Sequence, residues 1–145
     1  MTKTLRLFGI TALILVAFAT QAAAVETYAV LPFKITSVDQ YQYMGVSVPQ
    51  MISSRLYVKD KFQPVAKTTV ADQSALSSES DAAKAQGSMQ ADYVIWGDME
   101  IRDSNCEINV YARNKTGKVW SRHVSTKVNS MTPKIQELSN AISQE

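Results

Sequence analysis

His123 is the only histidine and Cys106 the only cysteine in the chain, so each is a natural place to look for a base, a nucleophile or a metal ligand. A Ser-His-Asp site needs a histidine with a hydroxyl in reach on one side and an acid behind it. Serines are plentiful, but there is no Gly-x-Ser-x-Gly turn, and strand alternation groups His123 with Ser121, Ser125 and Lys127 on a polar, solvated side. One histidine and one cysteine cannot supply the ligand set of a zinc site. Asp98, Glu100 and Asp103 carry oxygens suited to a hard cation, yet they lack the glycine-containing loop of an EF-hand and read as a charged rim. Nucleotide binding needs a glycine-rich loop opening a helix, and the five glycines stand far apart. Cys106 has no histidine or base beside it to stabilise a thiolate, and it reads as a small apolar residue on a strand. Asn114-Lys115-Thr116 fits a glycosylation acceptor but is read as a turn. No catalytic residue, metal or cofactor is assigned.

What remains is binding chemistry. Strand alternation puts Trp96, Tyr111, Arg113 and His123 on one side of a sheet, two aromatics beside an arginine, residue types that concentrate at binding hot spots. These four are the candidate protein-binding residues. Their availability depends on helix placement. If helices cover only the opposite face, the four are open; if the helix carrying Ala82 and Ala85, or the terminal helix carrying Ile135 and Leu138, lies over them, Trp96 is core.

The elements that position these residues follow from periodicity. Lys3 and Arg6 precede Leu7 to Thr20, 14 residues without a charge, and Ala22-Ala23-Ala24 follows. This is the pattern of a secretory signal peptide over residues 1–24, with cleavage before Val25. At about 1.5 Å per residue such a stretch spans about 21 Å, short of a hydrocarbon core near 30 Å, so no stable membrane span is expected after cleavage. The full chain has a formal charge of +2, and Lys3 and Arg6 account for it, leaving a neutral domain without the excess charge that nucleic-acid binding needs. A single domain over residues 25–145 is expected.

Tyr28 to Ile35 is a nearly continuous apolar run, interrupted by Pro32, and reads as a core strand. Val48, Met51, Ile52 and Leu56 share one helical face, with Ser47 as the expected cap and Pro49 in the first turn. Phe62 to Lys67 reads as a second strand, completing a β-α-β start with parallel pairing. Asp72 to Ser80 is a serine-rich loop. Alanines at helical spacing follow from Asp81, with Gly87 as the expected stop. From Asp92 the period changes to two: Tyr93, Ile95, Met99 and Ile101 alternate with Val94, Trp96, Asp98, Glu100 and Arg102, and Gly97 marks a bulge or a close approach. Cys106, Ile108, Val110 and Ala112 alternate with Glu107, Asn109, Tyr111 and Arg113. A hairpin at Asn114 to Lys118 leads to a last strand, Val119 to Val128, and Thr132-Pro133 opens a final helix with Ile135, Leu138 and Ile142 on one stripe. The fold class is α/β (α+β): a mixed sheet of about five strands, a β-α-β start, an antiparallel meander and a C-terminal helix.

Several segments together resemble a group of exported bacterial proteins, the TolB amino-terminal domain with the related CsgG, FlgO and LpoB families. Ala29-Val30-Leu31-Pro32-Phe33 is similar to the group's first strand, and Tyr43-Met44-Gly45 with Met51 to Leu56 to its first helix. Phe62-Gln63-Pro64-Val65 resembles the second strand. Ala91-Asp92-Tyr93-Val94-Ile95-Trp96-Gly97 is similar to the third-strand signature, with Gln90 where the group carries glycine, and Lys115 to Trp120 resembles the hairpin. The lipid-attachment cysteine of LpoB and CsgG has no counterpart. The resemblance implies a non-enzymatic docking module, periplasmic or secreted, whose partner is another protein of the cell envelope. A peptidoglycan- or glycan-contacting module and a small hydrolase are the alternatives left open.

Overall fold

The computed structural model describes residues 23–145; the expected leader over residues 1–24 lies almost entirely outside them. Six strands form one mixed sheet: β1 (Glu26–Val30), β2 (Lys34–Thr36), β3 (Phe62–Pro64), β4 (Tyr93–Arg102), β5 (Asn105–Asn114) and β6 (Val119–Lys127). The order is β3-β1-β4-β5-β6, with β2 continuing beside β4 where β1 stops. Pro32 divides the expected single strand into β1 and β2, because a residue without an N–H cannot carry a ladder through. Both pieces pair parallel with β4, and β3 pairs parallel with β1. Pro64 is tolerated because β3 is an edge strand. The rest is the expected antiparallel meander, β4 to β5 to β6.

Four helices cover the sheet: α1 (Met44–Leu56), α2 (Lys67–Ala71), α3 (Glu79–Met89) and α4 (Met131–Ile142). Helix α1 starts a turn earlier than Ser47, so Ser47 is not its cap and Pro49 lies inside it. Helix α3 runs through Gly87 to Met89 and ends on Gln90, which takes up the left-handed conformation (φ 52°). Ser78 caps its start, its hydroxyl oxygen accepting from the Asp81 N–H at 3.1 Å. The short α2 begins at Lys67, the last residue of the expected second strand, and ends before the serine-rich loop, whose last two residues, Glu79 and Ser80, belong to α3. Helix α4 begins at Met131 rather than after Thr132, keeping Pro133 in its first turn, and Val128 belongs to a short 3-10 turn rather than to β6.

The two faces of the sheet carry two cores. Helices α1 and α4 pack on one face, where Ile95, Ile108, Val110, Ile52, Ile135 and Leu138 are fully buried and Tyr93 and Trp120 lie half-buried against them. Each such aliphatic side chain contributes about 1.5–3 kcal/mol of transfer free energy. This is the register that alternation predicts for β5, with Glu107, Asn109 and Tyr111 on the far side. On the reverse face α3 lays Ala82, Ala85 and Met89 over Ala29, Leu31, Val94 and Trp96. Only part of that reverse face is covered.

Candidate binding surfaces

The sheet registers assign every residue on the reverse face to a cross-strand row. Trp96, Tyr111 and Ser121 form one row; Lys34, Asp98, Asn109 and His123 the next; Thr36, Glu100, Glu107 and Ser125 the third. All four sequence candidates are on this face, but they do not form one open patch. Trp96 is 4% exposed beneath α3, so the helix carrying Ala82 and Ala85 makes it core. Of the two outcomes that helix placement left open, the covered one holds at Trp96. Tyr111 stacks on it, with ring centroids 5.5 Å apart and 23° between planes, and is half-buried. Arg113 lies half-buried under the same helix, where its Nη1 donates to Gln86 Oε1 while its Nε is buried without a partner. Gln86 in turn donates to the Asp92 carbonyl at 2.9 Å. Arg113 braces α3 against β5.

His123 is exposed, and its surroundings fix its geometry. Its Nδ1 lies 2.8 Å from Asn109 Oδ1 and its Nε2 2.9 Å from Glu107 Oε2. Asn109 Nδ2 donates to Asp98 Oδ1 at 2.8 Å, and the Ser125 hydroxyl donates to Glu107 Oε1 at 2.7 Å. The serine thus meets the carboxylate rather than the imidazole, and both ring nitrogens already face acceptors. That order does not prepare a nucleophile, since proton transfer from serine to histidine requires the two in direct contact. Among the described residues no group of histidine, cysteine and carboxylate side chains is arranged to hold a metal ion. Cys106 is fully buried on the opposite face; burial first, and Glu107 second, push its thiol up to about 11.

Two openings among the described residues bear on these surfaces. A cleft of about 470 Å³ lies on the reverse face between the start of α3 and the open rows, with Lys34, Ser78, Trp96, Asp98, Tyr111 and Ser121 on its walls. A groove of about 240 Å³ lies at the other end of the sheet, where α4 finishes, and presents Leu56, Phe62, Tyr93, Trp120 and Ile142. Glu26, Lys61 and Lys118 rim it. Val58, 46% exposed, borders it. Sequence alternation places Tyr93 and Trp120 on the core face but does not show that the α4 end leaves them partly uncovered. The signal for that is positional: the stripe on α4 ends at Ile142, level with the hairpin rather than beyond it.

The segment Ala91 to Gly97 is structural. Asp92 Oδ2 accepts from the Thr27 N–H at 2.8 Å and the Thr27 hydroxyl at 3.2 Å, tying the start of β1 to the entry of β4. Tyr93 meets Phe62 edge-on at 5.3 Å. Gly97 pairs with Val110 without a bulge, and a Cβ there would be 2.2 Å from the Asn109 carbonyl oxygen, so it marks a close approach. In the hairpin, Asn114 Oδ1 accepts from the Thr116 and Lys118 N–H groups at 3.1 and 2.9 Å, and Gly117 takes φ 88°, as the turn reading of that segment expects.

No protein-family model matches the chain, and no curated protein does. Solved structures do match. TolB from Acinetobacter baumannii superposes with a TM-score of 0.59 over 83% of this chain, at 14% identity. The fold is TolB-like. The chain spans 28% of the length of that TolB chain, so the likeness covers one part of it. The dodecameric PelC from Paraburkholderia phytofirmans is similar over 83% of this chain and 88% of its own, with a TM-score of 0.53 and 13% identity. The C-terminal domain of LpoB from Salmonella enterica aligns over 75% of this chain and 87% of its own, at a TM-score of 0.44 and 12% identity. At such identities the likeness to TolB and PelC shows the fold alone. No helix among the described residues is long and apolar enough to cross a membrane.

Proposed function

We propose that this chain is a non-enzymatic docking module of the bacterial cell envelope, exported through its leader, that recognises another envelope protein. The groove at the end of α4 carries the reading. Phe62, Tyr93 and Trp120 beside Leu56 and Ile142 make an apolar, aromatic centre, and Glu26, Lys61 and Lys118 a charged rim. An aromatic centre that loses water on contact, ringed by charges that keep theirs, is the composition that concentrates binding energy between proteins. The occupant that fits is a short apolar segment of a partner, inserted between Phe62 and Trp120. The TolB-like fold and the leader at residues 1–24 support an envelope setting, and the extended His123 network supports binding rather than chemistry.

Site-specific photo-crosslinking in the native host tests this. A crosslinker at Val58 or Ser143 should yield one discrete adduct with an envelope protein, identified by mass spectrometry, whereas one at Lys84 on α3 should not. The adduct should vanish when Val58→Asp places a charge at the groove. Loss of specificity between the groove and α3, or a cytoplasmic fraction holding all of the protein, would overturn the reading. Intact mass of the exported protein should correspond to a chain starting at Val25.

A further inference from the structure

We propose that the uncovered half of the reverse face binds a neutral glycan, at a site separate from the groove. The row Lys34, Asp98, Asn109, His123 crosses four neighbouring strands, about 14 Å at the usual strand spacing, the reach of a short oligosaccharide. Across this face Lys34, Arg102 and Lys127 balance Asp98, Glu100 and Glu107, so no net field selects a charged polymer or an acidic or basic peptide. What the face does select is hydroxyl groups.

Its polar side chains are held in place before any ligand arrives. Asn109 is fixed between Asp98 at 2.8 Å and His123 at 2.8 Å, and Glu107 between His123 at 2.9 Å and Ser125 at 2.7 Å. Such a network loses little side-chain entropy on binding. Asp98 Oδ2 and the hydroxyls of Tyr111 and Ser121 have no protein partner among the described residues, and all three residues line the same cleft. A carboxylate oxygen and two hydroxyls are the acceptors and donors that neighbouring sugar hydroxyls require. Beside them stands Tyr111, its ring backed by Trp96, which gives the apolar face of a pyranose a rigid aromatic support. A protein partner would look for an exposed apolar anchor here, and burial of Trp96 removes it. Carboxylate, amide, hydroxyl and one supported aromatic remain, and that combination fits a polyhydroxylated, uncharged ligand.

The experiment is a titration of the exported protein, labelled with 15N, with cellohexaose, maltohexaose and the hexasaccharide of N-acetylglucosamine. At least one should move the amides of Asp98, Asn109, Tyr111 and Ser121 while leaving Phe62 and Trp120 unmoved. Tyr111→Ala should weaken that binding roughly tenfold or more. Because Tyr111 also packs on Trp96, the exposed Ser121→Glu serves as the second variant; it intrudes on the cleft without touching the core, and it should weaken binding to a similar degree. Absence of shifts with all three sugars at millimolar concentration would overturn the proposal, as would shifts centred on the groove or binding indifferent to Ser121→Glu. Crosslinks of a protein partner to Ser121 or His123, with no sugar effect, would assign the face to a protein instead.

Discussion

The Gly45 carbonyl oxygen accepts the Phe33 backbone N–H at 2.8 Å, from inside a helix. It is free to do so because Pro49, four residues on, has no N–H to return to it. A proline that would ordinarily disrupt a helix is used here to tie α1 to the chain leaving β1. The absence of a side chain on Gly45 completes the contact: a Cβ there would lie 2.9 Å from the Phe33 carbonyl oxygen and 3.3 Å from Ile35 Cγ2. Gly45→Ala should therefore destabilise by about 1–3 kcal/mol, although alanine is the better helix former by about 1 kcal/mol. Urea unfolding decides between these opposing effects, and an alanine variant as stable as the parent would mean that the helix shifts freely.

Gln90 ends α3 at φ 52°, a conformation that a side chain disfavours by about 1–2 kcal/mol and glycine does not. Glycine takes this backbone angle without a side-chain clash. Gln90→Gly should raise stability by about 0.5–1 kcal/mol after the larger entropy of an unfolded glycine is deducted. A lower melting temperature in that variant would show that the glutamine side chain makes a compensating contact.

The period-two stretches were the legible part of this sequence, because one residue of slip would expose Ile108 and Val110 and bury Glu107 and Asn109. The burial of Ile108 and Val110 follows directly from that constraint. Helix ends were harder to read. Pro49 and Gly87 resemble boundary signals, but neither bounds a helix: the Phe33 N–H takes up the carbonyl that Pro49 leaves free, and Gly87, with open space around it, continues α3 to Met89. Half of the candidate surface was legible for the same reason. Alternation fixes which face Trp96 and Tyr111 occupy, whereas what covers that face depends on where α3 crosses, and the alanines of α3 do not specify a crossing point.

Trp96 tests that coverage. It is packed among Ala82, Ala85, Val94 and Leu31, and removing its ring leaves a void that small alanines cannot fill. Trp96→Ala should cost about 3–5 kcal/mol, measured by chemical denaturation, and should loosen α3 first. Amide exchange in α3 should accelerate more than in α4, which packs on the other face. Equal acceleration in both helices, or a cost below about 1 kcal/mol, would mean that Trp96 is not enclosed by α3.

Cys106 links the core to pH. Its thiol is fully buried, and desolvation, with Glu107 as the lesser influence, raises its pKa from 9.0 to about 11. The unfolded chain therefore releases this proton first as pH rises, and between the two values the folded state holds more protons than the unfolded one. Stability from this group is full below pH 9.0, falls as pH climbs, and is lost by about pH 11, a change on the order of 2–3 kcal/mol. The Tyr28 and Tyr93 hydroxyls, also raised chiefly by burial, act in the same direction and remain in any cysteine variant. Urea midpoints followed across this window should consequently decline more steeply for the parent than for Cys106→Ala. The alanine variant, less stable at neutral pH because of the small cavity it leaves, should close the gap at the alkaline end. Parallel curves would show that the thiol ionises without leaving its place between the strands. A disulfide reagent gives the complementary reading, since below pH 9.0 it should modify Cys106 only at the rate at which β5 opens.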